Sequence, residues 1–175
     1  MPTYISSRGN EMLRERLQKM RGNLRQIRRE KAIAYTASGD TWHDNPGFNA
    51  LEQTEKRQVE ELSELENILA SSTVVNIEPR PMNTVRLGAI VRCSRFDLGD
   101  LSETEEVWEI VGYGESDPGA RRISYESPIA SSLMGLAPGD ARQVRTPSGA
   151  VEYTVISLHP NWESANLNEK EKEGE

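Results

Sequence analysis

The chain has 175 residues, 35% of them hydrophobic and 28% charged, which is material for one domain or two small ones with modest cores and much solvated surface. Its net charge of −7 argues against general nucleic-acid binding, which needs a basic face. A lone cysteine, Cys93, rules out an intramolecular disulfide and reads as a core residue. No apolar run approaches membrane-spanning length and the N-terminus lacks a signal-peptide core, so the sequence predicts a soluble, cytoplasmic protein with no membrane contact.

The charge is unevenly spread: residues 1–35 hold nine Arg or Lys against three acids, leaving that segment at +6 and the remainder at −13. Ser6 or Ser7 can cap a helix that runs to about Ser38. Its apolar residues Leu13, Leu17, Met20, Leu24, Ile27 and Ala34 follow a heptad seam in which Lys31 occupies the missing position. About 28 helical residues at ~1.5 Å each make an arm of roughly 40 Å.

The stretch Gly39–Phe48 gathers the helix-breaking signals Gly39, Pro46 and Gly47 with the turn-prone Asp40, Asp44 and Asn45. A second helix follows, with Phe48, Leu51, Leu62, Leu65 and Leu69 continuing a seam that Glu55 and Gln58 interrupt and Val59 partly fills. The first helix is basic and the second acidic, so the pair reads as an antiparallel coiled-coil hairpin over residues 1–76 with an acidic tip near 39–48. Its tip carries Asp40 and Asp44, with Trp42 and His43 between them.

From Ser71 the period changes to two. Thr73–Ile77 reads as a short strand and Glu78–Asn83, with Pro79 and Pro81, as a linker. Strands are predicted at about 89–96, 104–112, 122–125, 141–145 and 150–158, with one short helix at Pro128–Met134 and a hairpin turn at Pro147-Ser148-Gly149. The fold class is therefore α+β, with a small antiparallel sheet domain over 77–162. Residues 163–175 read as a disordered acidic tail.

Two stretches together resemble the Gre family of bacterial transcript cleavage factors, GreA and GreB. One is Gly39-Asp40 with Asp44-Asn45 and Phe48; the other is Ile123-Ser124-Tyr125-Glu126-Ser127-Pro128-Ile129-Ala130, then Leu133, Gly135, Gly139-Asp140, Thr146-Pro147 and Gly149. The resemblance covers roughly residues 5–158. It implies an FKBP-like C-terminal domain that docks on RNA polymerase through Glu126, Ser127, Pro128 and Ile129, while a monomer's hairpin enters the secondary channel. There Asp40 and Asp44 would help hold Mg²⁺ shared with the polymerase, which cleaves its own backtracked RNA near the 3′ end; the protein has no cofactor of its own and is not itself an enzyme.

The tip departs from the family pattern. Three residues, Thr41, Trp42 and His43, separate the two acids where the family has two, the second acid is aspartate rather than glutamate, and Pro46-Gly47 follows. Some relatives with altered tips inhibit transcription, so an inhibitory channel-occupying regulator is the alternative. Taken without the resemblance, Asp40 and Asp44 are ordinary turn and cap residues. Trp42 could stack on a displaced RNA base or close the apolar end of the hairpin, and His43 reads as an exposed loop residue. A stand-alone prolyl isomerase is disfavoured, because that chemistry needs an aromatic-lined pocket and the C-terminal domain holds one phenylalanine, Phe96, with scattered Trp and Tyr.

Overall fold

The computed structural model describes residues 3–146 and 149–165, and of Asp40, Thr41, His43 and Thr146 it describes the backbone. Elements follow in the order β1 (Tyr4–Ser6), α1 (Ser7–Ser38), a 3₁₀ turn (Gly39–Asp44), α2 (Pro46–Ser71), β2 (Thr73–Val75), β3 (Ile90–Asp97) and β4 (Glu103–Val111). A second 3₁₀ turn (Pro118–Ala120), β5 (Arg122–Ser124), α3 (Pro128–Leu133), β6 (Ala141–Thr146) and β7 (Gly149–His159) complete them. Among the described residues no helix is long and apolar enough to cross a membrane. The chain divides into two units, one of residues 10–72 with the first three, the other of Tyr4–Gly9 with everything from Thr73 onward.

The first unit is an antiparallel helical pair. Ion pairs Arg21–Glu66, Arg28–Glu55 and Lys31–Glu55 descend on one helix as they ascend on the other, which fixes the direction. The heptad positions of α1 are its less exposed ones, with Leu13, Met20 and Leu24 buried. On α2 burial follows the seam even through its polar positions: Phe48 and Leu65 are buried, and Leu51, Glu55, Gln58, Leu62 and Leu69 are half-buried. Val59, expected to fill the gap, instead faces outward at 40% exposure. Its neighbour Gln58 keeps the 3.5-residue period that an antiparallel partner demands.

The second unit is built on a five-stranded sheet of order β5-β4-β3-β7-β6. Four strands pair antiparallel, whereas β5 joins β4 in parallel. That departure from an all-antiparallel sheet arises because the segment from Gly112 to Arg121 loops back before β5 begins, so no tight hairpin joins the two. Alternate side chains of the central strands, among them Val91, Cys93, Ile110, Val151, Tyr153 and Val155, meet Ala130 and Leu133 of α3 in one core. Burial and the Glu106 carboxylate push the Cys93 thiol up to about 12, so it stays protonated and inert in that core.

Two further features, one at each end of the chain's described part, lie outside the sequence-based expectations. The N-terminal residues form β1, paired in parallel with β2 (Ile5 opposite Val74), so Tyr4–Gly9 and 73–76 belong with the sheet unit rather than the helical one. The buried Glu115 carboxylate holds this strand: its Oε1 accepts from the Ser6 N–H (2.9 Å) and its Oε2 from the Ser6 hydroxyl (2.5 Å). The same hydroxyl caps α1 by accepting from the Gly9 N–H (3.0 Å). Such an approach requires glycine at 112, where a Cβ would lie 2.8 Å from the Ile5 Cα and 2.4 Å from Glu115.

The second feature is at the C-terminus. Glu163–Ala165, expected to begin the disordered tail, continue a helical turn whose buried Ala165 packs with Ile90, Val107 and Trp162. The Ala165 carbonyl accepts from the buried Arg92 guanidinium (2.8 Å). One alanine beside a tryptophan gave too little apolar periodicity to predict that docking. The remainder of the predicted tail and two residues of the predicted turn, Pro147 and Ser148, lie outside the described residues.

Within the expected linker, Arg80 is held by the Gly88 carbonyl (2.8 Å) and by Glu109 (2.9 Å). Burial would raise the Glu109 carboxyl, but hydrogen bonds from Arg122 and Arg80 outweigh it and hold the group below its ordinary value. This segment is thus tethered to the sheet through an ion triad of two half-buried arginines on the buried Glu109.

Candidate functional site

The distal end of the helical pair is built in layers. Lys31 and Glu55, each a polar break in its own helix's seam, stand opposite one another and bond at 2.7 Å. Arg28 reaches the other Glu55 oxygen at 2.8 Å. The hydrogen bonds from Lys31 and Arg28 hold the Glu55 carboxyl below its ordinary value. Such a polar layer favours the register in which both partners are satisfied, since a slipped helix would leave half-buried charges unpaired.

Above it lies an aromatic layer. Lys31 Nζ sits 5.6 Å from the centre of the Phe48 ring, within reach of a cation–π contact. Phe48 meets Trp42 edge-on at 5.0 Å, and Tyr35 lies 5.6 Å from Trp42 and 6.2 Å from Phe48. Three rings from α1, the turn and α2 therefore close the end of the seam.

The turn itself is staked at both ends. Gly39, at φ +54°, ends α1 in the left-handed region that glycine adopts without cost. Asn45 caps α2: its Oδ1 accepts from the N–H groups of Gly47 (2.8 Å) and Phe48 (3.3 Å), with Pro46 in the first helical position. The Asn45 amide also donates to the Ser38 hydroxyl (2.6 Å), which in turn donates to the Ala34 carbonyl (2.8 Å). Pro46 and Gly47, which look like helix breakers in the sequence, are the start of a capped helix. Between Ser38 and Asn45 the backbone is a single 3₁₀ turn that carries Asp40 and Asp44.

The Asp44 side chain is exposed, while those of Asp40 and His43 fall outside the described residues. Among the described residues no group of three or more His, Cys, Asp or Glu converges. The donors at the turn are carboxylates, hard oxygens of the kind Mg²⁺ takes, and one or two of them fit a shell whose other ligands come from elsewhere. Carboxylates at a turn are thus donors of the type that Mg²⁺ takes.

The second cluster predicted from sequence lies in the sheet unit. Glu126 and Pro128 are exposed, and Ser127 and Ile129 are half-buried. Ser127 caps α3 by accepting from the Ala130 N–H (3.1 Å), with Pro128 in the first turn. Glu126 accepts from the Tyr125 hydroxyl (2.9 Å), while Ile129 packs on the core. Burial, and then the Glu126 carboxylate beside it, push the Tyr125 phenol up, so the hydroxyl remains a donor. Beside this segment a groove of about 480 Å³ is lined by Tyr4, Ile77, Pro79, Pro81, Tyr125 and Met134, among others. Tyr4 and Tyr125 meet edge-on at 5.9 Å along it.

Sequence reasoning singled out the tip acids and the Glu126 segment but missed the residues that support them. The Lys31 and Glu55 breaks were visible as heptad irregularities; the signal overlooked was that both were charged and of opposite sign. Asn45 carried a turn signal and Ser38 marked the end of the first helix, without any indication that they bond each other. Glu115 had no local signal, since its partner Ser6 lies 109 residues away.

A family model described as "Transcription elongation factor, GreA/GreB, C-term" matches residues 80–160. Proteins named transcription elongation factor GreA from Brucella canis and Brucella abortus are each 30% identical over 154 residues, 88% of this chain and 95% of theirs. Among solved structures, the GreA factor homolog 1 (Gfh1) protein of Thermus thermophilus is 25% identical over 91% of this chain and 99% of that one; the TM-score of 0.41 adds nothing to the assignment. With a relative of this identity aligned along nearly its whole length, the chain belongs to the GreA/GreB family of transcription elongation factors.

Proposed function

We propose that the protein binds RNA polymerase through its sheet unit, inserts the helical pair into the secondary channel and stimulates the polymerase's own cleavage of backtracked RNA. Family membership supports the binding, and the observation that carries the cleavage reading is the exposed Asp44 on a capped turn between two long helices. Glu126, Ser127, Pro128 and Ile129 form the polymerase contact: two exposed residues stand on a cap that packing behind them keeps rigid. Asp40 and Asp44 would hold the shared Mg²⁺ with ligands from the polymerase. Bound there, the ion supplies charge stabilisation to the phosphodiester displacement. The aspartates contribute negative charge and acceptor oxygens that orient a water at the RNA backbone, and the arm excludes bulk solvent from the channel. The scissile chemistry stays with the polymerase, so the protein is an activator and not an enzyme.

Stalled elongation complexes incubated with and without the protein test this reading. Shortening of the RNA from its 3′ end at a rate that saturates with protein concentration is the expected result. A specific feature favours a second reading, in which the protein occupies the channel and inhibits: the turn holds one residue more between its acids than the family pattern. Inhibition of nucleotide addition without cleavage in the same assay would select it.

A further inference from the structure

We infer that Trp42, the central residue of the lengthened turn, is the positioning residue that fixes the acidic tip, by tucking its indole against Tyr35 and Phe48. The inference rests on the cleavage reading of the tip given above. Three observations carry it. Trp42 is half-buried although it sits in a six-residue turn at the end of an arm, and its ring makes an edge-on contact with Phe48 at 5.0 Å and a tilted one with Tyr35 at 5.6 Å. Those two rings belong to different helices, so the indole ties the turn to both at once. Phe48 is itself buried and sits beneath the turn with Lys31 on its face, and Lys31 is pinned by Glu55. An unbroken line of contacts therefore runs from the register-setting polar layer to the turn.

The backbone explains how this bears on the acids. A 3₁₀ turn advances about 120° per residue, so a residue two places from an inward-turned one leaves on the outer side. Trp42 faces the helices and Asp44, two residues on, is exposed. The Asn45 N–H donates to the Trp42 carbonyl (3.2 Å), which couples the backbone of the tucked residue to the cap of α2. The added residue is thus absorbed by an anchored turn and need not lengthen a floppy loop. A tryptophan held against two rings of the protein anchors the turn, and stacking on RNA is the competing role that the test separates.

Two measurements on Trp42→Ala and Trp42→Phe test this, in each case with a nitroxide on Thr41→Cys for the first. Cys93 is buried and needs no replacement for selective labelling. In the free protein, Trp42→Ala is expected to raise label mobility severalfold and Trp42→Phe to keep it near wild type, both with unchanged far-UV circular dichroism. In cleavage assays on unlabelled protein, Trp42→Ala should lower the maximal rate by about 100-fold, the loss a ~1 Å displacement can cause, at an unchanged half-saturating concentration, with Trp42→Phe restoring most of it. Unchanged label mobility in Trp42→Ala overturns the inference, as does raised mobility with an unchanged maximal rate. A loss that depends on the identity of the RNA 3′ base, with mobility unchanged, assigns Trp42 to stacking and overturns it too. If the wild-type protein stimulates no cleavage, the proposed function fails on its own, while the mobility comparison still decides whether Trp42 anchors the turn.

Discussion

The helical pair and the sheet unit are stabilised in different ways. In the pair, burial is confined to a narrow seam with Leu13, Met20, Leu24, Phe48 and Leu65 as its buried residues, and a charged layer crosses that seam near the tip. In the sheet unit, strands and α3 enclose a dry core in which Ala89, Val91, Cys93, Ile110, Ala130, Leu133, Val151 and Val155 are all nearly or wholly inaccessible. A seam one residue wide has water on both sides, so each of its side chains removes less apolar area than a core residue of the same type. The comparison teaches that the arm is specified by register as much as by hydrophobic energy. The end of the pair at the turn is held by layered, partly polar contacts, while the sheet unit is held by a continuous apolar core.

The sharpest test of that contrast is a matched pair of truncations. Leu133→Ala removes a fully buried side chain from the inner face of α3 and should cost toward the upper end of about 2–5 kcal/mol, whereas Leu65→Ala in the seam should fall toward the lower end, because the helices can close over the gap. Urea unfolding of the two variants measures both; equal costs would erase the distinction.

Next in size is Glu109→Gln, which removes the charged partner of Arg122 and the nearer of the two carboxylates on Arg80, and should cost about 3 kcal/mol. The same carboxyl makes stability pH-dependent. Its folded pKa lies below the ordinary 4.5, so its contribution is fully present above that value and is lost as pH falls through the lower folded value. Glu55 carries the same sign in the helical pair. Acid titration followed separately by near-UV signals of the sheet unit and by the Thr41→Cys label should show both units weakening below about pH 4.5, with Glu109→Gln flattening only the former.

A third test asks whether function and stability separate as the comparison implies. Asp40→Asn with Asp44→Asn keeps shape and removes charge from the turn. Stimulated cleavage should drop on the order of 100-fold, equivalent to ~2.7 kcal/mol of barrier, with unfolding midpoint and polymerase affinity unchanged. An equally active double variant would refute a metal role for the pair. Conversely, Glu126→Ala with Pro128→Ala should weaken polymerase binding in a quantitative pull-down about tenfold while the maximal cleavage rate holds. The smallest effect belongs to Arg21→Ala: its bond to Glu66 is solvent-exposed on both sides, and loss of about 0.5 kcal/mol or less is expected by thermal unfolding.

The sequence by itself determined the local periods. Spacings of three and four from Leu13 to Ala34 require a helix with one apolar stripe, and alternation after Ser71 requires strands, because side-chain direction along a backbone is a local property. It also marked the turn and both clusters of candidate residues. Only the tertiary structure decided which distant residues meet. Lys31 and Glu55 are separate flaws until the antiparallel register sets them opposite one another. β1 has three residues and no alternating signal, and exists because β2 and Glu115 satisfy its backbone. Ala165 is buried because Arg92 takes its carbonyl. Trp42 could face RNA or protein by its type alone; the rings of Tyr35 and Phe48, brought together from two helices, turned it inward. Each of these depends on a contact between separate elements, and such contacts leave no mark on the periodicity within any one of them.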